Sequence, residues 1–332
     1  MNDLPLLLAE GLCKSFHSGK TAGGPIHAVD DVSLEIFRGE TLGLVGESGC
    51  GKTTLAKTLL RLTEPDSGRI TFDGNALFDS TRVPHGKKTA IDMRPYRRRM
   101  QIIFQNPLAS FDPHMTVGEI IGEALDIHAL AASKYERAEM TASLIRKVGL
   151  GADCGSRLPH EFSGGQQQRI GIARALAVNP EFLVCDEPVS ELDVSIQAQV
   201  VNMLEGMQSE LGLTYLFIAH DLSVVRHISN RIAVMYMGRI VEIGASGEII
   251  GHPLHPYTKA LLSAAPIPDP KIARSGERFV PRGEVPDSPT ASSGCCFLLR
   301  CPFAIPECAL SAPKLRECGS GHLSACHISA GL

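Results

Sequence analysis

Two periods alternate along the chain. Residues 41–62, TLGLVGESGCGKTTLAKTLLRL, open on a short apolar run, cross a glycine-rich turn and continue with Leu55, Leu59 and Leu62 at helical spacing. That pattern predicts a buried strand, a loop and a helix with one apolar face. Residues 134–150 and 166–178 predict two more helices, the second entered through FSGG, where Ser163 is a candidate cap. The apolar run EFLVC at 181–185, ended by two acids, predicts a strand. A helix follows from Val194 to Leu211, with Ile196, Val200, Met203, Met207 and Leu211 in register, and the run TYLFIA at 214–219 predicts a strand ending at His220. Strands alternating with helices imply a mostly parallel sheet covered by helices. Helix predominates over about 94–178, which predicts a helical insertion between the glycine-rich loop and the later strands.

Composition changes after HPYTKALLSAA: between Pro266 and Gly294 six prolines occur among polar residues, the texture of a linker or extended wrap. At 332 residues and 44% hydrophobic content the chain can bury a full core, as one large domain or two unequal ones. The net charge of −4 argues against a nucleic-acid binder that works by neutralising phosphates. The one dense basic run, RPYRRRM at 94–100, reads as a solvated helix face. The start, MNDLPLLLAEGLC, lacks the positive n-region of a secretory signal, and charge, glycine or proline cuts every apolar run short of a membrane span. A soluble or peripheral intracellular chain is the expectation, and there persistent disulfides are rare.

Chemistry concentrates in a few short stretches. GESGCGKT, Gly46–Thr53, fits G-x-x-x-x-G-K-[ST] between a predicted strand and helix. Its glycines let successive backbone N–H groups turn around phosphates at a helix N-terminus. Lys52 then meets the β and γ phosphates and the Thr53 hydroxyl ligates Mg²⁺. Asp186 and Glu187 end an apolar strand, where acids face the ligand crevice of a parallel sheet. Asp186 suits an outer Mg²⁺ ligand and Glu187 a general base toward water. His220, followed by Asp221, repeats that geometry on a second strand, and FSGGQQQR at 162–169 is a second turn entering a helix and so a second anion-binding N-terminus.

In the order GESGCGKT, Gln105 in IIFQNP, FSGGQ, FLVCDE, SELD and His220, the chain resembles the ATP-binding subunit of an ATP-binding cassette (ABC) transporter over about residues 6–265. The resemblance implies an α/β P-loop NTPase cassette: a mostly parallel sheet core, an antiparallel β part and an inserted helical subdomain at about 94–178. It further implies a cassette over 1–265 and a C-terminal region over 266–332. Phe16 resembles the aromatic that stacks on adenine. Gly46, Glu47, Ser48, Gly49, Cys50, Gly51, Lys52, Thr53 and Thr54 resemble the phosphate cradle, and Gln105 the glutamine that contacts Mg²⁺ and water. Ser163, Gly164, Gly165 and Gln166 resemble the turn that caps the γ-phosphate held by a partner cassette. Asp193 resembles the loop aspartate that crosses the dimer interface, Glu187 the base and His220 the switch histidine. Asn106, Gln167 and Glu191 depart from the usual Asp, Arg and Ala; none of these removes a catalytic group.

Finer text, such as VCDEPVSELDVSIQAQVVNML and HPLHPYTKALLSAAP, is similar to oligopeptide/dipeptide importers, in particular to one of their two unlike ATPase subunits. That likeness implies ATP hydrolysis energising peptide import at the cytoplasmic face of the inner membrane. The implied partners are a second, non-identical ATP-binding subunit, two transmembrane permease subunits and an extracytoplasmic binding protein. Other cargoes of the subgroup are glutathione, nickel, opines and short sugars; a remoter reading is a soluble ABC ATPase acting on DNA or ribosomes. Six of the ten cysteines lie in the tail. Of these, Cys295, Cys301, Cys308 and Cys326 resemble the four-cysteine tail that in some members holds a [4Fe-4S] cluster. Four thiolates also suit structural zinc, and unligated small hydrophobes are the plain alternative. Cys296 and Cys318 fall outside that spacing, and Cys50 and Cys185 read as packing residues inside motifs.

Overall fold

The computed structural model describes residues 4–17, 24–82, 91–264, 281–283, 294–319 and 321–329. The chain divides into two units, residues 1–90 with 219–332, and residues 91–218. The first unit opens with β1 (Leu7–Phe16), β2 (Ile26–Ile36), β3 (Thr41–Val45), α1 (Lys52–Leu59), β4 (Ser67–Phe72) and β5 (Asn75–Asp79). The second unit comprises α2 (Arg94–Arg99), β6 (Met100–Ile103), α3 (Val117–Ile127), α4 (Lys134–Lys147), α5 (Gly164–Leu176), β7 (Phe182–Asp186), α6 (Val194–Leu211) and β8 (Thr214–Ile218). The chain then returns to the first unit with α7 (Leu222–Ile228), β9 (Arg231–Tyr236), β10 (Arg239–Ala245), α8 (Ser246–Gly251) and α9 (Pro256–Ala264). It ends with α10 (Glu307–Leu310), β11 (Arg316–Gly319) and β12 (His322–Ser324).

In the first unit β2, β1, β4 and β5 form an antiparallel sheet in that order. A second array runs β11-β12-β10-β9-β3, with β3 and β9 parallel and the other pairs antiparallel. β12 pairs Ser324 with Glu242 and Leu323 with Ile243, so the cysteine-rich tail extends the sheet that carries the glycine-rich loop. Nearly all of the expected proline-rich linker at 266–294 lies outside the described residues; Pro281–Gly283 and Gly294 are the exceptions.

The second unit holds three parallel strands, β8-β7-β6. Phe182–Asp186 and Thr214–Ile218 are buried at every position, as strands of a parallel sheet covered on both faces are. α5 packs on β6, α6, α3 and α4. Thr116 caps α3: its hydroxyl accepts from Glu119 N–H, and the Glu119 carboxylate accepts from Thr116 N–H. β6 interrupts the helices of the 94–178 stretch. α2 has no buried residue and solvates the arginine run, with Arg94 paired to Asp92 and Arg99 to Glu181.

Two details of the expected helices change. α1 ends at Leu59, so Leu62 lies beyond it and is exposed, while Leu55 and Leu59 are buried. On α6 the buried stripe is Val200, Val201, Leu204 and Met207, whereas Leu211 is exposed. Ile196 lies in the first turn of α6 and Leu211 is its last residue, so burial holds along the middle of the helix and is lost at its ends.

Candidate functional site

The first unit carries the phosphate loop. Lys52 is the first residue of α1, and its buried ammonium donates to Gly46 O (2.9 Å) and Glu47 O (3.0 Å). The loop is tightly walled. A Cβ on Gly46 would stand 2.2 Å from Met235 O, and one on Gly51 2.0 Å from Ala28 O at a φ of +110°. Only glycine meets both the contacts and, at Gly51, the backbone angle. Gly238 N–H, in the β9–β10 turn, donates to Cys50 O (2.8 Å). Burial raises the pKa of the Cys50 thiol, which fits a neutral packing residue. Ser48 and Gly49 are exposed at the tip; Thr53 and Thr54 are half-buried on the first turn of α1. Phe16, the last residue of β1, presents an exposed ring with the Lys14 ammonium 5.6 Å from its centroid.

His220 also belongs to this unit. β8 stops at Ile218, so His220 sits in the turn before α7 and not on a strand. Asp221 there caps α7 by accepting from Ser223 N–H (2.7 Å), and capping rather than pairing decides how this stretch folds.

The second unit brings its acids and Gln105 to one sheet edge. In the parallel register Ile103 pairs with Cys185, and Gln105 and Glu187 each lie two residues further on. Asp186 is buried at the end of β7, Glu187 is half-buried, and Gln105 is exposed in the loop. Glu187 has a φ of 47°, its N–H donates to Ile218 O (3.0 Å), and its carbonyl accepts from the Ser190 hydroxyl (3.1 Å). Left-handed backbone at a non-glycine is a local strain that functional sites retain. Burial raises the pKa of the Cys185 thiol, with the Asp186 charge adding to it, so this cysteine is an inert packing group.

The second turn is formed as a helix start. Ser163 caps α5, and Gln166 Oε1 accepts from Ser163 N–H (3.0 Å) and from the Ser163 hydroxyl (3.3 Å). Ser163 and Gly164 are exposed, while Gly165 packs where a Cβ would come within 2.6 Å of Ile196. Asp193 is engaged within its own loop, where one carboxylate oxygen accepts from Ser195 N–H (3.1 Å), the Ser195 hydroxyl (2.7 Å) and Ile196 N–H (3.0 Å), capping α6. The Ser195 hydroxyl, then the backbone donors, hold its pKa below the ordinary carboxylate value. The departures are accommodated too. Asn106 accepts from Ala109 N–H (3.1 Å), Gln167 donates to Phe162 O (2.9 Å) and Pro159 O (3.2 Å), and Glu191 is exposed.

In the tail Cys301, Cys308 and Cys326 are buried and Cys295 is half-buried. Burial raises the pKa of Cys301 and of Cys326, and each is raised further by the thiols of Cys295 and Cys308. The four thus gather in one region. Among the described residues, however, no three His, Cys, Asp or Glu side chains converge closely enough to hold a metal ion.

Sequence reasoning did not single out Glu242, Tyr257 or Arg300. Glu242 is fully buried and accepts from Leu254 N–H (2.8 Å), His255 N–H (2.9 Å), the Thr258 hydroxyl and His322 Nε2 (2.7 Å). Arg300 reaches Glu47 of the phosphate loop, and the signal for it was Glu47 itself: an acid inside a phosphate cradle calls for a cation.

Comparison with known proteins identifies the family. An ABC transporter family model matches residues 29–190, and an oligopeptide/dipeptide transporter C-terminal region model matches residues 241–308. The putative oligopeptide transport ATP-binding protein YkfD of Bacillus subtilis (strain 168) is 52% identical over 328 residues, 99% of this chain and 97% of its own. The chain belongs to the ABC transporter ATP-binding family. The oligopeptide transport ATP-binding protein OppF of the same organism is 55% identical over 258 residues, 78% of this chain and 82% of its own. The solved dimer of the ATP-binding cassette MJ0796, in a post-hydrolysis state bound to ADP and Pi, superposes with a TM-score of 0.62 at 26% identity, covering 72% of this chain and 98% of that one. As an ABC cassette the chain is an ATPase that uses ATP and Mg²⁺. In the first unit the Thr53 hydroxyl, and in the second the buried Asp186 carboxylate, each offer oxygen of the kind a hard divalent cation takes. No helix among the described residues is long and apolar enough to cross a membrane.

Proposed function

We propose that this chain is the ATP-hydrolysing subunit that energises peptide import. The observation that carries this reading is likeness along 99% of the chain to an oligopeptide transport ATP-binding protein, joined to the C-terminal region match over residues 241–308. Its partners are two permease subunits, a second, non-identical ATP-binding subunit and an extracytoplasmic binding protein, which together hold it on the cytoplasmic face of the membrane. The cassette occupies residues 1–265 and the cysteine-rich region 266–332.

Each residue of the site then acts at a definite part of the nucleotide. Phe16 stacks on the adenine. The loop Gly46–Thr54 wraps the phosphates, with Lys52 on the β and γ groups. Thr53, Asp186 and Gln105 would hold Mg²⁺, which would supply positive charge toward the phosphate oxygens. Glu187 takes the proton of a water attacking the γ-phosphorus, the bond from that phosphorus to the bridging oxygen breaks, and ADP and phosphate leave. His220 contacts the γ-phosphate. Ser163, Gly164, Gly165 and Gln166 of one cassette close on the nucleotide of the other, and Asp193 lies at that interface. ATP so held between two subunits favours the closed pair, and hydrolysis releases it.

Deletion of this chain in its native host is expected to abolish uptake of labelled di- and oligopeptides, with restoration by the wild-type chain and none by Lys52→Ala. Unimpaired peptide uptake together with lost uptake of glutathione, nickel, an opine or a short sugar would reassign the cargo. A chain that stayed soluble beside its native permeases and bound DNA would overturn the transporter role.

A second reading concerns the tail: Cys295, Cys301, Cys308 and Cys326 ligate a [4Fe-4S] cluster or zinc. Its support is that these thiols lie near enough to raise one another's pKa. Ligation requires them to draw closer together than they stand here. Anaerobically purified protein is expected to contain iron with sulfide, or zinc, and to lose it in Cys301→Ser; metal-free protein of unchanged stability in that variant would leave the cysteines as packing residues.

A further inference from the structure

The phosphate loop contains an acid, Glu47, beside the lysine that must meet ATP. A triphosphate carries several negative charges, so a carboxylate free to turn toward it would oppose binding and compete for Lys52. In the structure that carboxylate is engaged. Arg300 Nη1 donates to both Glu47 oxygens (3.1 and 2.8 Å), and Arg300 Nη2 donates to Oε1 (3.1 Å). The Arg300 side chain is only 8% exposed, against 29% for Glu47, so the tail supplies a buried fork to a partly solvated acid.

The fork is held from several sides. The guanidinium lies 5.8 Å from the ring centres of both Tyr236 and Phe297. Those rings meet edge to face at 5.3 Å, and Tyr257 packs against both, at 4.5 Å from Tyr236 and 5.6 Å from Phe297. The backbone of Arg300 is fixed through its carbonyl, which accepts from Arg282 N–H (3.0 Å), and its own N–H, which donates to Phe297 O (3.0 Å). Tyr257 adds a second hold on the loop: its hydroxyl accepts from the backbone N–H of Glu47 (2.8 Å). Burial pushes the Tyr257 pKa well up, so that hydroxyl is a neutral phenol across the physiological range. Both the side chain and the backbone N–H of Glu47 are therefore turned toward groups that lie C-terminal to β10.

We propose that Arg300 and Tyr257 form a clamp on the phosphate loop, through which the C-terminal region sets the affinity for ATP. Both are positioning residues, since they act through Glu47. The clamp rests on ATP binding at the Gly46–Thr54 loop. It makes the tail part of the nucleotide site's support.

The test uses the full-length chain for MgATP binding by calorimetry and the assembled transporter for steady-state ATPase. In Arg300→Met, loss of a charge-assisted fork on a partly exposed acid is expected to weaken ATP binding and raise KM by about fivefold, with kcat nearly unchanged. Adding Glu47→Gln to Arg300→Met removes the unpaired acid and is expected to bind MgATP at least about twofold more tightly than Arg300→Met alone. A purely structural role would lower the melting temperature and give no such rescue. If Arg300→Met does not fold, Tyr257→Phe, which removes only the acceptor of Glu47 N–H, is expected to raise KM by about threefold with kcat kept. Wild-type affinity in Arg300→Met, no rescue by the double variant, or an unchanged KM in a folded Tyr257→Phe would each overturn the clamp. Failure of the wild-type chain to bind MgATP would instead overturn the nucleotide-site assignment on which the clamp rests.

Discussion

Glu187→Gln is expected to lower ATP turnover of the assembled transporter by about a hundredfold or more, the range lost when a positioned general base is removed. Nucleotide binding should survive, because glutamine keeps the size of the side chain and the groups proposed to hold ATP remain. The local structure makes the experiment clean. The backbone of Glu187 is fixed by its N–H to Ile218 O and by its carbonyl, which accepts from Ser190. Its φ of 47° is left-handed, and glutamine can keep it as glutamate does. A melting temperature close to wild type, ATP retained and phosphate release lost would be the signature of a chemical step removed. Unchanged turnover would move the base elsewhere and leave Glu187 as a turn residue only.

Glu242→Gln is expected to cost about 1–3 kcal/mol of stability, the range for leaving a buried backbone donor unsatisfied. All four contacts of this carboxylate are donors, two on each oxygen. A carboxamide offers one oxygen and one N–H₂, so whichever way it is turned its N–H₂ faces a backbone N–H, of Leu254 or of His255, that cannot accept, while the Thr258 hydroxyl or the His322 ring can exchange roles. The two backbone donors cannot relax cheaply, since Glu242 is fully buried and His255, Thr258 and His322 are buried with it. Denaturant unfolding of the full chain should show the loss, and the part that gives way first should be β12, because His322 is its first residue. Hydrogen exchange over residues 321–329 would read that release. A variant as stable as wild type would show that the four donors find water instead.

The candidate site was legible because each motif is contiguous: Gly46–Thr53, Ser163–Gln166 and Asp186–Glu187 keep their candidate groups and their turn residues together. The buried strands β7 and β8 were legible for the same reason, since four apolar residues in a row in each state their burial locally. The antiparallel sheet of β1, β2, β4 and β5 went unread residue by residue. Register shifts at Ala9/Leu12, Leu12/Lys14 and Lys14/Ser15 break the two-residue alternation that would have marked its strands. The groups that tie the tail down were illegible for a different reason. Glu242 hydrogen-bonds His322 and Glu47 pairs with Arg300 across long stretches of sequence, and no periodicity records a partner that far away. The cysteine spacing drew attention to the tail, yet the contacts that fasten it are made by an arginine, two tyrosines, a phenylalanine and a glutamate between and before those cysteines.

The pairing of Glu47 with Arg300 also constrains how such a chain can change over generations. A cassette that lost its C-terminal region, or exchanged it with that of the other subunit, would keep every recognisable motif and still inherit an acid without its cation. Change at position 300 becomes tolerable once position 47 is neutral, and an acid at 47 becomes tolerable once the arginine is in place. The two ends of the chain are thus tied to a shared evolutionary path, and ATPase heads of this kind are not freely interchangeable parts.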